Sequence, residues 1–424
     1  MNIRSESALR EWIRACVSAA PIVDMHTHLY APCFGELLRA ELDEVICYHY
    51  LIEETVLETR MNPADFWKLD QRRRAELVWN TLFVQKQPVS ESCKVILTMF
   101  QRDGLDVNRK DLDYYRAYYE AIPKQTYIDD VLRRQHIETL VMTNDPFDAR
   151  EAAIWLNGAY TADARFLAAL RLDELMNYRS AAVETLNEWG YLVERDGAGL
   201  PTVVSYPEIR RFLADWLNRT NAVYCAASLS PEFTLRPDSP EAEILTRCIL
   251  PVCEERDLPV SLMFGVTRRV NPPMGEAGDS LGKVDIRQLH ALFRQFPNNR
   301  FLITALSREN QHELTAAARI FNNVMLFGCW WFLNNPVVER EMTRMRYEML
   351  GPKFVAQHSD ANMVGHMLGK WERFKPILAE VLCENYADLF SLGYRPDDEM
   401  IRQEIADLFG AYFCRFTGRK NEVG

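Results

Sequence analysis

The sequence predicts an α/β fold, a (β/α)8 TIM-like barrel with a helical insertion after its first strand. Eight short apolar runs end in polar or turn residues, at 22–29, 138–143, 166–172, 222–229, 259–266, 301–306, 324–332 and 354–358. Most are continuous rather than alternating, which is typical of strands that are buried on both faces. Eight such runs favour a closed barrel over an open, doubly wound sheet.

Helical patterns separate the later runs. They precede the fifth to eighth runs and cover residues 241–255, 286–295, 310–321 and 340–350. Strands that alternate with helices imply right-handed crossovers and therefore a parallel sheet.

The chain is expected to have three parts. Residues 1–29 hold an amphipathic N-terminal helix and the first strand, and residues 138–424 hold the rest of the barrel and the C-terminal helices. Residues 30–137 are too many for one loop and contain helix-start signals at Asn62–Pro63 and Ser90–Glu91. A helical insertion or cap there is expected to cover the C-terminal mouth of the barrel.

The composition narrows the class of protein. The 424 residues are 48% hydrophobic and 26% charged, with a net charge of −11 and no long basic run, which argues against a nucleic-acid partner. Apolar runs are too short to span a bilayer, and the N-terminus lacks a signal-peptide pattern. Ten cysteines scattered through mostly apolar runs suit a reducing compartment, so we expect a cytoplasmic protein without a membrane partner.

The strongest local motif is the sequence from Asp24 to His28, DMHTH, at the end of the first run. Side chains alternate along a strand, so His26 and His28 point to one face. Neutral imidazoles at that spacing suit a borderline-soft metal ion, whereas two unpartnered core histidines would be costly.

Asp360 follows the eighth run in the sequence QHSD. The first and eighth strands of a closed barrel are neighbours, so Asp360 can join His26 and His28 at one ion. As a metal ligand or a base beside the metal it would stay ionised; its alternative role is the N-cap of the next helix.

DxHxH on the first strand with Asp360 after the eighth resembles the amidohydrolase superfamily. The fourth run has no lysine and the fifth and sixth have no histidine, which argues for a single-metal site. Within that superfamily the chain is similar to the uronate isomerase family over nearly its whole length, through DMHTHL (24–29), YHY (48–50), RLD (171–173), SREN (307–310) and CWWF (329–332).

The resemblance implies an intramolecular oxidoreductase that interconverts aldose and ketose hexuronates of the D-glucuronate and D-fructuronate type. It implies one divalent ion, Zn²⁺ by preference, bound by His26, His28 and Asp360. Asp360 would also act in catalysis, with Tyr50 and His49 near C1 and C2 of the sugar acid. We further expect a homo-oligomer.

Four other side chains are candidates for substrate binding. Arg171 and Arg308 lie at run ends and suit a sugar carboxylate through paired hydrogen bonds, with surface ion pairing as the alternative. Trp330 and Trp331 suit either a wall of the sugar pocket or packing inside the barrel. Tyr50 and its neighbours could likewise be core aromatics.

Asn362 departs from the family pattern, which has an arginine two residues after this aspartate. An asparagine cannot supply a fixed positive charge near the substrate, so we expect a slower or redirected reaction. Alternatively, another cation such as Arg308 has taken over. A single-metal hydrolase of a sugar acid or lactone and a non-catalytic sugar-acid binder remain open as other functions.

Overall fold

The computed structural model describes residues 5–236 and 238–419. It has an α/β fold with a seven-stranded curled parallel sheet, consistent with a TIM-like barrel. The sheet strands, in spatial order, are β1 (Ile22–Thr27), β2 (Ile137–Asn144), β3 (Phe166–Arg171), β4 (Cys225–Leu229), β5 (Val260–Phe264), β8 (Phe301–Ala305) and β9 (Val324–Leu326). The short strands β6 (Val266–Thr267) and β7 (Ser280–Leu281) pair antiparallel outside this sheet.

The last two predicted strands differ from the structure. The seventh strand ends at Leu326, so residues 329–332 do not lie on it, and residues 354–358 form an isolated parallel bridge between Phe327 and Val355. The reason is the backbone at Gly328, whose φ of 61° turns the chain away from an extended path. A Cβ at that position would lie 1.7 Å from the ring of His358, so only glycine fits.

The segment around residue 360 reaches β1 through backbone hydrogen bonds. The amide of His28 donates to the carbonyl of Ala361 over 3.0 Å, and the amide of Asp360 donates to the carbonyl of His26 over 3.1 Å. Asp24 adds two side-chain contacts, accepting from the Ser359 amide at 2.9 Å and from the Trp371 indole at 3.2 Å. These bonds hold residue 360 beside the end of β1.

Helices precede and follow the strands. The first helix is α1 (Glu6–Ala19). Between β1 and β2 lie α2 (Leu42–Ile46), α3 (His49–Thr59), α4 (Pro63–Trp67), α5 (Gln71–Trp79), α6 (Glu91–Arg102), α7 (Leu112–Glu120) and α8 (Lys124–Gln135). Several begin at side-chain caps, as at Ser90, whose hydroxyl accepts from the amide of Cys93.

The remaining helices separate or follow the later strands. They are α9 (Ala149–Leu156), α10 (Asp173–Asn177), α11 (Arg179–Glu188), α12 (Tyr206–Thr220), α13 (Pro240–Ile244), α14 (Leu250–Glu255), α15 (Ile286–Gln295), α16 (Gln311–Ile320), α17 (Pro336–Leu350), α18 (Val364–Ser391), α19 (Asp398–Ala406) and α20 (Tyr412–Phe416). Short 3-10 and π-helical turns link some of them, such as Trp331–Leu333. None of the helices in the described ranges is long and apolar enough to cross a bilayer.

Candidate active site

The end of β1 and the segment after residue 358 bring together three side chains that suit a metal ion. Asp360 Oδ1 lies 3.5 Å from His26 Nε2 and 3.3 Å from His28 Nε2, and the ligand atoms all lie within 4.8 Å of one another. Asp360 has a φ of 47°, a left-handed conformation that is uncommon outside glycine. The backbone therefore adopts a strained conformation where this carboxylate meets the two imidazoles.

The other ring nitrogens of the two histidines face polar groups. His28 Nδ1 lies 2.8 Å from Thr143 Oγ1 on β2, and His26 Nδ1 lies 3.4 Å from the Tyr224 hydroxyl, which donates to the Met25 carbonyl. Contacts of this kind orient imidazoles that bind metals and would leave the Nε2 atoms free for an ion. The donor set and its surroundings thus fit a metal ion.

The charges in this cluster also suit a cation. Burial raises the pKa of the Asp360 carboxyl, but hydrogen bonds from His26 and His28 outweigh it and hold that pKa well below its usual range. Burial lowers the pKa of His28, which favours the neutral imidazole that a metal requires.

A cavity of about 200 Å³ opens in front of the cluster. Most of its lining side chains are polar or aromatic and come from several strand ends and loops: His26, His28, Tyr48, His49, Tyr50, Arg171, Asp173, Ser228, Met263, Arg268, Glu276, Asp279, Trp330, Trp331, Asp360 and Asn362. The volume and the polar lining suit a small, hydroxyl-rich ligand better than an extended polymer.

Tyr50 and His49 come from the first turn of α3 and reach this cavity. Burial lowers the pKa of His49 to about 4, so its ring is neutral at pH 7, and its Nε2 has no hydrogen-bond partner. Burial, with Tyr48 and Asp360 nearby, raises the pKa of the Tyr50 hydroxyl well above its usual value. Tyr50 is therefore a hydroxyl donor rather than a phenolate.

The two predicted arginines lie in different places. Arg171, at the end of β3, lines the cavity and donates to Asp173 Oδ2 from two nitrogens, at 3.0 and 2.7 Å. Arg308 does not line it: its side chain is 57% exposed and donates to Glu341 on α17 at 2.7 Å. Arg308 therefore forms a surface ion pair, which was the alternative role given for it in the sequence analysis. It does not lie at the candidate site.

Trp330, Trp331 and Asn362 all line the cavity. The Trp331 ring centroid lies 5.1 Å from that of His49, and its indole nitrogen is buried without a hydrogen-bond partner. Asn362 hydrogen-bonds with Tyr48 through its side chain. Two residues of the cavity wall thus carry a buried polar atom without a hydrogen-bond partner, the Trp331 indole nitrogen and His49 Nε2.

Comparison with solved structures identifies relatives of the chain. It is 44% identical to a uronate isomerase from Bacillus halodurans C-125, covering 99% of this chain and 98% of that one, with a TM-score of 0.95. The chain belongs to the uronate isomerase family. The family predicted from the sequence is thereby confirmed.

Two more distant members share the fold. A uronate isomerase from Thermotoga maritima is 16% identical, over 97% of this chain and 100% of that chain, with a TM-score of 0.74. A glucuronate isomerase from Caulobacter crescentus is 15% identical, over 99% and 96%, with a TM-score of 0.77. No protein-family model matches the chain. No curated protein sequence matches it.

Several residues that line the cavity were not predicted from the sequence. Arg268 and Asp279 form an ion pair of 2.6 Å across the β6–β7 hairpin, and Glu276 lies in the same hairpin. Their sequence neighbourhood is a polar loop without periodicity, so no local signal singles them out. The polar contacts of Thr143 and Tyr224 with the histidines were also missed, although both residues lie in or beside predicted strands.

Proposed function

We propose that the protein interconverts an aldose hexuronate and the corresponding ketose by moving a proton between C1 and C2. The observation that carries this proposal is 44% identity to a uronate isomerase over 99% of the chain, together with the His26, His28 and Asp360 cluster beside a polar cavity. The substrate is a small sugar acid.

His26, His28 and Asp360 would hold one divalent metal ion, Zn²⁺ by preference, because two imidazoles and one carboxylate form a typical ligand set for that ion. Such an ion, when bound, supplies positive charge that polarises substrate oxygen atoms.

The chain's own residues carry the proton steps of the proposed reaction. A base removes the proton from C2, the C2–H electron pair forms the C1–C2 double bond, and the C1 oxygen takes a proton, which gives an enediol. Protonation of C1 and loss of the proton from the C2 hydroxyl then leave a carbonyl at C2. Tyr50, as a neutral hydroxyl, donates to the C1 oxygen, and neutral His49 accepts or returns a proton beside it. Asp360, kept ionised, assists the opening of the sugar ring.

Arg171 would bind the substrate carboxylate, since its guanidinium group lies at the cavity wall and charge-assisted bonds are the strong ones. Trp330 and Trp331 would form the apolar wall for the ring carbons, and Asn362 would contact a hydroxyl. The sugar acid thus meets a cationic side chain, an aromatic wall and the metal ligands in one cavity.

The architecture around the site extends this proposal. Residues 354–361 would close the barrel as an irregular eighth strand between β9 and β1, and residues 30–137 would act as a helical cap on 138–424 and 1–29. Backbone contacts of Val355 and Asp360 support the closure. A cytoplasmic location and a homo-oligomeric state stay predictions.

The experiment is to incubate metal-loaded protein in D₂O with a panel of hexuronates and follow the hydrogen at C2 by NMR. Ketose formation with exchange or transfer of that hydrogen supports the proposal. Hydrolysis of an added sugar lactone without ketose formation would instead indicate the single-metal hydrolase. Thermal stabilisation by a hexuronate without any turnover would indicate a binding protein.

The effect of Asn362 also stays a prediction. Without a cation at this position the enzyme should be slow on glucuronate and galacturonate, by about 10²–10³ in turnover if one electrostatic partner is missing. Steady-state kinetics of the wild type and Asn362→Arg test this, and fast wild-type turnover would contradict it. Arg308 cannot supply the missing positive charge at this position, because it forms a surface ion pair with Glu341.

A further inference from the structure

A lysine on α18 lies directly behind the candidate site. Lys370 follows Met367 and Leu368, both fully buried, and precedes the equally buried Trp371. Its ammonium group donates a hydrogen bond to the carbonyl oxygen of Ser359, the residue before Asp360. Burying a charged side chain is costly unless it is paired or hydrogen-bonded, so this hydrogen bond and the nearby carboxylates help to keep the ammonium group there.

A second, smaller cavity adjoins both this lysine and the candidate site. It has a volume of about 50 Å³, and its lining includes Lys370, Tyr48, Tyr50 and Asp360. Those last three residues also line the larger cavity, so they form the partition between the two spaces. Lys370 therefore lies on the far side of the two tyrosines from the substrate cavity.

Three carboxylates lie near the Lys370 ammonium, and one of them belongs to the candidate metal ligand Asp360. Burial lowers the pKa of the Lys370 ammonium, whereas the nearby carboxylates of Asp360, Glu339 and Asp24 oppose that shift and favour the charged form. The two cavity arginines are each paired with a carboxylate of their own, Asp173 or Asp279. Lys370 thus brings positive charge to the tyrosine side of the cavity, in a desolvated setting where charges act over longer distances than in water.

We propose that Lys370 is a positioning residue for the isomerisation, a role that rests on the proposed function. Its hydrogen bond to Ser359 holds the backbone that carries Asp360. Its charge stabilises the negative charge that develops on the C1 and C2 oxygens when C2 loses its proton, acting through the hydroxyls of Tyr48 and Tyr50. Lys370 thereby supplies part of the positive charge that neutral Asn362 does not provide at the cavity wall.

The test compares Lys370→Gln with Lys370→Arg in the metal-loaded enzyme. Glutamine keeps an N–H donor for Ser359 but removes the charge, whereas arginine keeps the charge. We expect Lys370→Gln to lower kcat by about tenfold to a hundredfold with KM changed less than about threefold, because the charge acts in the transition state. Lys370→Arg should exceed Lys370→Gln in kcat by at least about fivefold.

Lys375 provides a matched control on the same helix. Its ammonium group also donates to a backbone carbonyl, that of Gln135 at 3.1 Å, but it lines neither cavity. Lys375→Gln should keep kcat within about twofold of the wild type. Metal content and melting temperature, measured for every variant, should match those of the wild type for Lys370→Gln.

Two results would overturn the role of Lys370: a kcat of Lys370→Gln within threefold of the wild type, or no advantage of Lys370→Arg over Lys370→Gln. If Lys370→Gln does not fold, Lys370→Arg decides, since a loss of kcat above tenfold contradicts the proposal and a smaller loss supports it. A wild type that does not isomerise any hexuronate would overturn the proposed function itself, which separates the two failures.

Discussion

The cavity has two walls built from different kinds of chain. One wall consists of strand ends, with His26 on β1, His28 directly after β1 and Arg171 at the end of β3. The other consists of irregular segments, with Arg268 and Asp279 beside the β6–β7 hairpin and Trp331 in a 3-10 turn. Of the three proposed metal ligands, His26 and His28 belong to the strand wall, whereas Asp360 lies in an irregular segment that backbone hydrogen bonds hold to β1. The loop wall carries the exposed Arg268 and the buried Asp279.

This difference indicates that the two walls have different functions, metal binding on one and substrate selection on the other. Metal ligands need fixed directions, which ladder hydrogen bonds provide, whereas substrate contacts in barrel enzymes vary with the loops that carry them. We therefore expect changes to the proposed metal ligands and to the strand wall to have large effects on the reaction or on substrate binding, and changes on the loop wall to adjust substrate preference. The predictions below test that division, from the largest expected effect to the smallest.

The largest effect should follow removal of a metal ligand. His26→Ala and Asp360→Ala should each lose the single bound ion and reduce kcat/KM by more than about 10³-fold, because the ligand set falls to two groups. Elemental analysis and steady-state kinetics measure both. His312→Ala, at an exposed position on α16, is the control and should keep metal and activity. Two tightly bound ions per wild-type chain would contradict the single-metal site.

Tyr50→Phe should have the next largest effect. Removal of the hydroxyl should lower kcat by about 10²-fold and leave the metal content unchanged, since the buried Tyr50 acts as a donor to the substrate rather than as a ligand. Tyr178→Phe, at an exposed position, serves as the control. If Tyr50→Phe kept the wild-type kcat, Tyr50 would be only a packing residue of the core and not a proton donor.

Sequence reasoning found the strand wall because strand periodicity fixes side-chain directions. Alternation along β1 places His26 and His28 on one face, and the carboxyl end of a parallel strand places Arg171 at the same mouth. The last two strands were predicted less well. Gly328, with a φ of 61°, ends the regular pairing there, and a single glycine gives no sequence signal for the extent of such a break.

The loop wall was missed for a different reason. In an irregular segment no period links residue number to direction, so no sequence pattern singles out Arg268, whereas Arg308 was predicted from its place at a run end. Tertiary contacts decided between them: Arg308 faces α17 and pairs with Glu341, while Arg268 lies across the hairpin from Asp279. Lys370 on α18 was also missed, because its position behind Asp360 depends on tertiary packing.

The two predicted arginines give a matched pair of variants. Arg171→Met should weaken binding of a hexuronate by roughly 1.5–3 kcal/mol, and that of the matching neutral hexose much less, because one charge-assisted pair is lost. Arg308→Met should change neither, since its exposed ion pair lies outside the cavity. Equal losses for the acid and the neutral sugar in Arg171→Met would mean that this arginine is structural. Isothermal titration of the metal-loaded protein measures all four affinities.

The smallest effect should come from the loop wall, in Arg268→Met. The Arg268 side chain is 46% exposed, and solvent weakens its ion pair with Asp279, so the pair contributes about 0–1 kcal/mol. The expected change in kcat/KM is therefore no more than about fivefold, with kcat nearly unchanged. The values of kcat/KM for two epimeric hexuronates should change by different factors, so that their ratio shifts, because a loop residue adjusts the fit of the distal hydroxyls. A loss as large as that of Arg171→Met would place carboxylate recognition on the loop wall and break the division between the two walls.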